Sequence, residues 1–155
     1  MGRSGNQKSV ANRIAGECIS VRLRLLNRAV TKIYDDAIRS HGIKVSQMNV
    51  LVFVAKRASG VSPGLVAQML QMEKSTVSRN VERMSREGWL AVGPGGDDRS
   101  QCLEATAKGR RLLEKAYPQW QQAQGKARDL LGEDGVHSVC QVADKIWADV
   151  GRRES

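Results

Sequence analysis

Apolar residues recur along this chain at spacings that mark out a succession of short elements. In residues 62–70, Leu65, Val66, Met69 and Leu70 share one helical face. Ser62 precedes them, with a hydroxyl able to accept from an orphan backbone N–H, and Pro63 follows at the position where a missing N–H goes unnoticed. After the connection Gln71-Met72-Glu73, a second run sets Val77, Val81 and Met84 at i, i+4 and i+7, which turns these three inward. Ser75, Thr76, Ser78, Arg79, Arg83 and Arg86 are left facing outward. Gly88 stands where a left-handed cap ends a helix. Trp89 to Val92 then reads as a strand, Gly93 to Gly96 as turn material and Ser100 to Glu104 as the returning strand, with Asp97-Asp98-Arg99 at the hairpin tip.

Helix, helix, hairpin, and a return to helix at Thr106 is the outline of a winged helix-turn-helix, an arrangement suited to reading duplex DNA. The outward face of the second helix has the chemistry for it. Short hydroxyls near a helix start allow close approach to phosphates or base edges, and Arg can bond bidentately to the guanine edge or to phosphate. The plainer alternative is a solvated face, for which Glu82 and Glu87 offer charge pairs within the helix. The Gly-rich run is not a phosphate cradle, because neither a following Lys-Ser/Thr nor a G-x-G-x-x-G pattern is present.

Outside this segment the pattern lengthens. Cys18, Val21, Leu25, Ala29, Ile33 and Ala37 recur at spacings of three and four, predicting one long amphipathic helix from Ile14 to about His41-Gly42. A second long helix starts at Thr106 and carries Leu112, Leu113, Ala116, Tyr117 and Trp120 on its apolar side. Pro118 is placed to kink it and Gly132 to end or interrupt it. A last helix bears Val139, Ala143, Ile146 and Val150. Two distant apolar stripes flanking one compact unit are more surface than that unit can cover, which predicts a symmetric dimer; packing within one subunit is the alternative. The expected fold is mainly α with a small β-hairpin wing, a single chain over 1–155. Residues 44–105 form its winged helix-turn-helix DNA-binding region, and residues 8–42 and 106–151 its N- and C-terminal helical dimerisation region.

Composition narrows the function classes. A chain of 155 residues, 41% hydrophobic and 26% charged, can bury one substantial core. Its formal charge of +9 favours a polyanionic partner, because neutralising phosphates releases counterions. Charge alone would equally suit RNA or an anionic membrane surface, and a sequence-independent basic nucleic-acid-binding protein is the competing reading. The longest apolar stretch, Val50 to Ala55, falls far short of the roughly 20 residues of a spanning helix. Met1 to Asn12 has no apolar core of a secretory signal, so a cytoplasmic location is expected. Cys18, Cys102 and Cys140 are scattered, with neither a C-x-x-C nor a His pairing at metal-ligand spacing, so neither a metal nor a cofactor is expected. His41 and His137 form no recognisable catalytic arrangement, and an enzyme is not expected.

Several short motifs in order, Lys74-Ser75-Thr76-Val77-Ser78-Arg79, Glu87-Gly88-Trp89-Leu90, Asp97-x-Arg99-Ser100 and Thr106-x-x-Gly109, together resemble the MarR family of bacterial transcription regulators. Tyr34-Asp35, Gly42-Ile43 and Gln47 also sit where that family tends to have them. The resemblance implies that the helix from about Lys74 to Glu87 enters the major groove and that Arg99 reaches into the neighbouring minor groove, oriented by Asp97. An arginine suits a narrow minor groove, where the negative potential is enhanced. The DNA-contacting set is then Lys74, Ser75, Thr76, Ser78, Arg79, Arg83, Arg86 and Arg99; the alternative for Asp97 and Arg99 is an ordinary turn-stabilising pair.

The resemblance further implies a homodimer with intertwined terminal helices, a pseudo-palindromic double-stranded operator, and small aromatic or anionic effectors bound between the dimer helices and the reading unit. Arg28, Tyr34 and His41 are chemically plausible at that junction. The expected function is a sequence-specific double-stranded DNA-binding regulator, a repressor released by a small-molecule inducer. The wing departs from the family habit, since two acids, Asp97 and Asp98, accompany its single Arg99, and its grip on phosphate should be correspondingly weak. Some relatives sense peroxides through a cysteine of the first helix. Here Ser20 occupies that place and Cys18 lies two residues earlier, so thiol-based sensing through Cys18, with Arg22 one turn beyond, stands as an alternative to a packing role.

Overall fold

The structure, a computed structural model, describes residues 9–97 and 100–152. It divides between Lys32 and Ile33 into two units. In the N-terminal unit, Ser9 caps helix α1 (Val10–Glu17) by accepting from the Asn12 N–H at 3.3 Å. Helix α2 (Ile19–Ile38) begins two residues after α1 ends.

The single long helix expected from Ile14 is therefore broken, with Cys18 in an extended conformation (φ −66°, ψ 109°). The Arg22 guanidinium donates to the Cys18 carbonyl at 3.0 Å and to that of Gly16, satisfying acceptors at the end of α1. A glycine next to the break also lowers the local preference for helix. No residue of α1 is buried, and in α2 only Ile38 is.

The second unit opens with the end of α2 and a single 3-10 turn (Arg39–His41), followed by α3 (Val45–Ala55), α4 (Pro63–Met69) and α5 (Lys74–Arg86). The antiparallel strands β1 (Leu90–Pro94) and β2 (Gln101–Ala105) come next, then α6 (Ala107–Arg152). This is the mainly helical fold with a two-stranded wing that the sequence predicts. Leu51, Val54, Val66, Val77, Met84 and Leu103 meet in one core, each fully buried. Burial of side chains this size stabilises by about 1.5–3 kcal/mol apiece.

Polar groups fix how the helices enter this core. Asp35 accepts from the Val45 N–H at 2.7 Å, and the buried Gln47 side chain accepts from the Lys44 N–H at 3.1 Å, so the start of α3 is tied to the end of α2. Those contacts give a physical reason for two of the residues that carry the family resemblance. Ser62 caps α4 by accepting from Leu65 N–H at 3.1 Å, with Pro63 as the first helical residue, as the sequence predicts.

The wing differs in detail. Gly93 and Pro94 belong to β1, opposite Cys102 and Gln101, and the reversal is confined to residues 95–100. Ladder pairing extended the strand past residues whose local preference is for turns, and the Gly95 N–H closes the tip on the Ser100 carbonyl at 2.8 Å. Val61 adds an isolated bridge on the other side of β2, exchanging hydrogen bonds of 3.0 and 2.7 Å with Leu103.

Helix α6 passes through Pro118 and is interrupted at Gly132, whose backbone (φ 68°, ψ 164°) is not helical. Its root is fastened to the wing. Thr106 Oγ1 accepts from Gly109 N–H at 3.0 Å and donates to the Gly88 carbonyl at 2.7 Å. A Cβ on Gly109 would lie 2.3 Å from the Trp89 carbonyl oxygen, so only glycine permits this approach. Thr106-x-x-Gly109 is thus the joint between wing and long helix.

Candidate nucleic-acid interface

Helix α5 presents its polar side on a fixed base. Val77, Val81 and Met84 are buried beneath it, while Lys74, Ser75, Ser78, Arg79, Arg83 and Arg86 are exposed and Thr76 is half-buried. The helix ends in paired bonds, Trp89 N–H to Met84 O at 2.8 Å and Gly88 N–H to Ser85 O at 2.9 Å, with Gly88 left-handed at φ +74°. That closure sets where β1 departs. At the other end, α4 is followed by a turn in which Gln71 takes φ 51° and Glu73 precedes the first helical residue.

One charge pair crosses the outward face, Arg86 to Glu82 at 3.7 Å with both side chains more than two-thirds exposed. Pairs of this kind contribute only about 0.3–0.5 kcal/mol, so a phosphate could displace it. Between α5 and the wing lies an open concavity of about 570 Å³, lined by Lys74, Ser78, Glu82, Val92 and Gln101 among others. At the wing tip, Asp97 is exposed and its N–H donates to Ser100 Oγ at 3.2 Å. Asp98 and Arg99 lie outside the described residues, and with them the expected minor-groove contact and its orientation by Asp97.

The residues expected at an effector junction are placed as follows. Tyr34 donates to Gln124 Oε1 on α6, and its ring lies 6.3 Å from that of Trp120. Burial raises the Tyr34 pKa above its ordinary value, so the phenol stays protonated at neutral pH. His41 Nε2 is 3.2 Å from Gln119 Oε1. Arg28 belongs to the N-terminal unit.

Close to Trp120, an apolar crevice of about 180 Å³ is lined by Met48, Val52, Leu113, Tyr117 and Trp120, with the Tyr117 and Trp120 rings stacked at 5.8 Å. Sequence reasoning missed Met48 and Val52. For Val52 the signal was present in Val50 to Ala55, an apolar run too continuous for one buried helical face.

The cysteines are free thiols at separate places: Cys18 at the break between α1 and α2, Cys102 in β2 with Sγ 3.7 Å from the Ser59 carbonyl, and Cys140 exposed on α6. Arg22 addresses carbonyl oxygens. Among the described residues there is no cluster of His, Cys, Asp and Glu that could hold a metal ion, and no helix is long and apolar enough to cross a membrane.

A capped first helix, a second helix with an exposed hydroxyl and guanidinium face, and a hairpin packed at its end define a winged helix-turn-helix protein. Residues 41–100, which include α3, α4, α5 and β1, match the model of the MarR family. The HTH-type transcriptional regulator PecS of Dickeya dadantii is 24% identical over 94 residues, 59% of this chain; the match spans about half of PecS, 54% of its length. MosR of M. tuberculosis, solved in complex with DNA, is 28% identical with a TM-score of 0.72, covering 85% of this chain and 98% of that one. CouR of Rhodococcus jostii, solved with bound p-coumaroyl-CoA, shares the fold at 22% identity and a TM-score of 0.70, covering 87% of this chain and 93% of its own.

Proposed function

We propose that this protein is a sequence-specific regulator of transcription that binds a pseudo-palindromic double-stranded operator as a homodimer. The observation that carries the reading is the outward face of α5, with Ser75, Ser78, Arg79, Arg83 and Arg86 exposed over a buried Val77, Val81 and Met84. A helix held this way can enter a major groove as a rigid body, with Lys74, Thr76 and the wing Arg99 as further contacts and Asp97 as the residue orienting the wing. Uncharged hydroxyls beside the arginines favour discrimination among sequences over attraction by charge alone. The DNA bound to MosR supports the same partner here. Residues 44–105 then form the reading region, and its place of action is the cytoplasm.

The dimer reading is supported by the large apolar side chains left exposed on α2 and on the far part of α6, among them Val21, Leu25, Leu130, Val139 and Ile146. A second copy using residues 8–42 and 106–151 would cover them, and half-site centres would fall about 10 base pairs apart. Repression follows if the operator overlaps a promoter. An inducer releases the protein only by binding two states unequally. The crevice beside Tyr117 and Trp120 is apolar and aromatic-walled, which suits a small aromatic ring, and CouR with its p-coumaroyl-CoA is the precedent for an effector of that kind.

Selection of bound fragments from genomic DNA, footprinted on the best of them, tests the reading. Arg79→Ala is expected to weaken binding by about 1–3 kcal/mol and relax preference at one or two base pairs. A parent protein that binds every duplex alike, or an Arg79→Ala variant that binds the selected site as tightly as the parent, would overturn it.

A further inference from the structure

Helix α5 has two flanks of different charge. At about 100° per residue, Ser78 and Glu82 lie to one side of Arg79 and Arg83 to the other. The first flank faces the wing, where the concavity is lined by one cation, Lys74, and one carboxylate, Glu82; the wing itself adds two acids, Asp97 and Asp98, to the single Arg99. On the opposite flank, Arg83 lines a separate crevice of about 330 Å³ with Arg39, Lys44, Asp35, Gly42 and Ile43. Three cations from three different elements converge there with one carboxylate, and that carboxylate is already engaged by the Val45 N–H. Arg39 also pairs with Asp36 across one helical turn, with its side chain 76% exposed, a contact weak enough to yield to a stronger anion.

We propose that this crevice grips the phosphate backbone of the bound duplex, with Arg39 and Lys44 as its phosphate ligands and Arg83 closing it from α5. The inference rests on the DNA-binding reading and adds to it the side of the protein that holds the backbone. Phosphate contacts fix register and carry affinity without reading sequence. Placed on the flank away from the wing, they supply the attraction that an acidic wing withholds. Their position is rigid: Ile43 is buried beside Lys44, and the Lys44 N–H is held by Gln47.

The test is a salt titration of binding to the selected operator and to an unrelated duplex, comparing the parent with the double variant Arg39→Gln, Lys44→Gln. Each lost phosphate contact lowers the slope of log affinity against log salt by about 0.9, so the double variant, losing two contacts in each protomer of the proposed dimer, should be shallower by about 3.6. The affinity ratio between the two duplexes should stay unchanged. Phosphate-ethylation interference on the parent, which requires no variant to fold, should show sensitive phosphates on the side of the contacted major groove away from the wing. A parental slope in the double variant, a change in sequence preference, or interference confined to the wing side would overturn this assignment while leaving DNA binding intact. A parent that binds neither duplex would overturn the DNA-binding reading itself.

Discussion

Helices α1 and α5 are both amphipathic in sequence, yet only one has found its cover. Helix α5 buries Val77, Val81 and Met84 in the core it shares with α3, α4 and the strands. Helix α1 buries nothing, and in α2 the side chains of Val21 and Leu25 are 59% and 68% exposed. Periodicity therefore announces that a face needs covering and is silent about what covers it. In the winged unit the covering elements are a few tens of residues away along the same chain; on α1 no side chain is buried.

Core truncation sharpens that contrast most. Met84→Ala should cost about 2–5 kcal/mol of unfolding free energy at any protein concentration. Leu25→Ala should leave a dilute sample's denaturation midpoint alone and instead weaken self-association, read by sedimentation across a concentration series. If Leu25→Ala destabilised the monomer as much as Met84→Ala, the two regions would not differ as described.

Next comes Gly109→Ala, for which overpacking against the Trp89 carbonyl should cost about 1–3 kcal/mol, measured by denaturant unfolding. Smallest is a comparison of two serine caps. Ser62→Ala should cost about 1 kcal/mol, since α4 is part of the core. Ser9→Ala, which uncaps a helix that buries nothing, should not move the midpoint.

Much of the winged unit was legible because its signals are local. Ser62-Pro63 starts a helix, Gly88 ends one, and Val77, Val81 and Met84 define a face, all through chemistry between residues a few positions apart. The extension of β1 through Gly93 and Pro94, and the Val61–Leu103 bridge, were not legible because they depend on pairing across the chain. The break at Cys18 was hidden for a different reason: the apolar spacing runs straight through it. Arg39 and Lys44 gave no signal either, since a crevice shared with Arg83 exists only after α2, α3 and α5 have docked.

The close seat of Gly109 on Trp89 joins the long helix to the base of the wing without slack. Residues 107–131 span about 37 Å at 1.5 Å per residue, so a tilt of about 5° at that hinge point carries the far end roughly 3 Å. The relation works in reverse as well: a push of that size on the distal arm turns the hairpin through the same angle. Such leverage makes the first half of α6 the shaft along which a distant event could re-aim the reading surface.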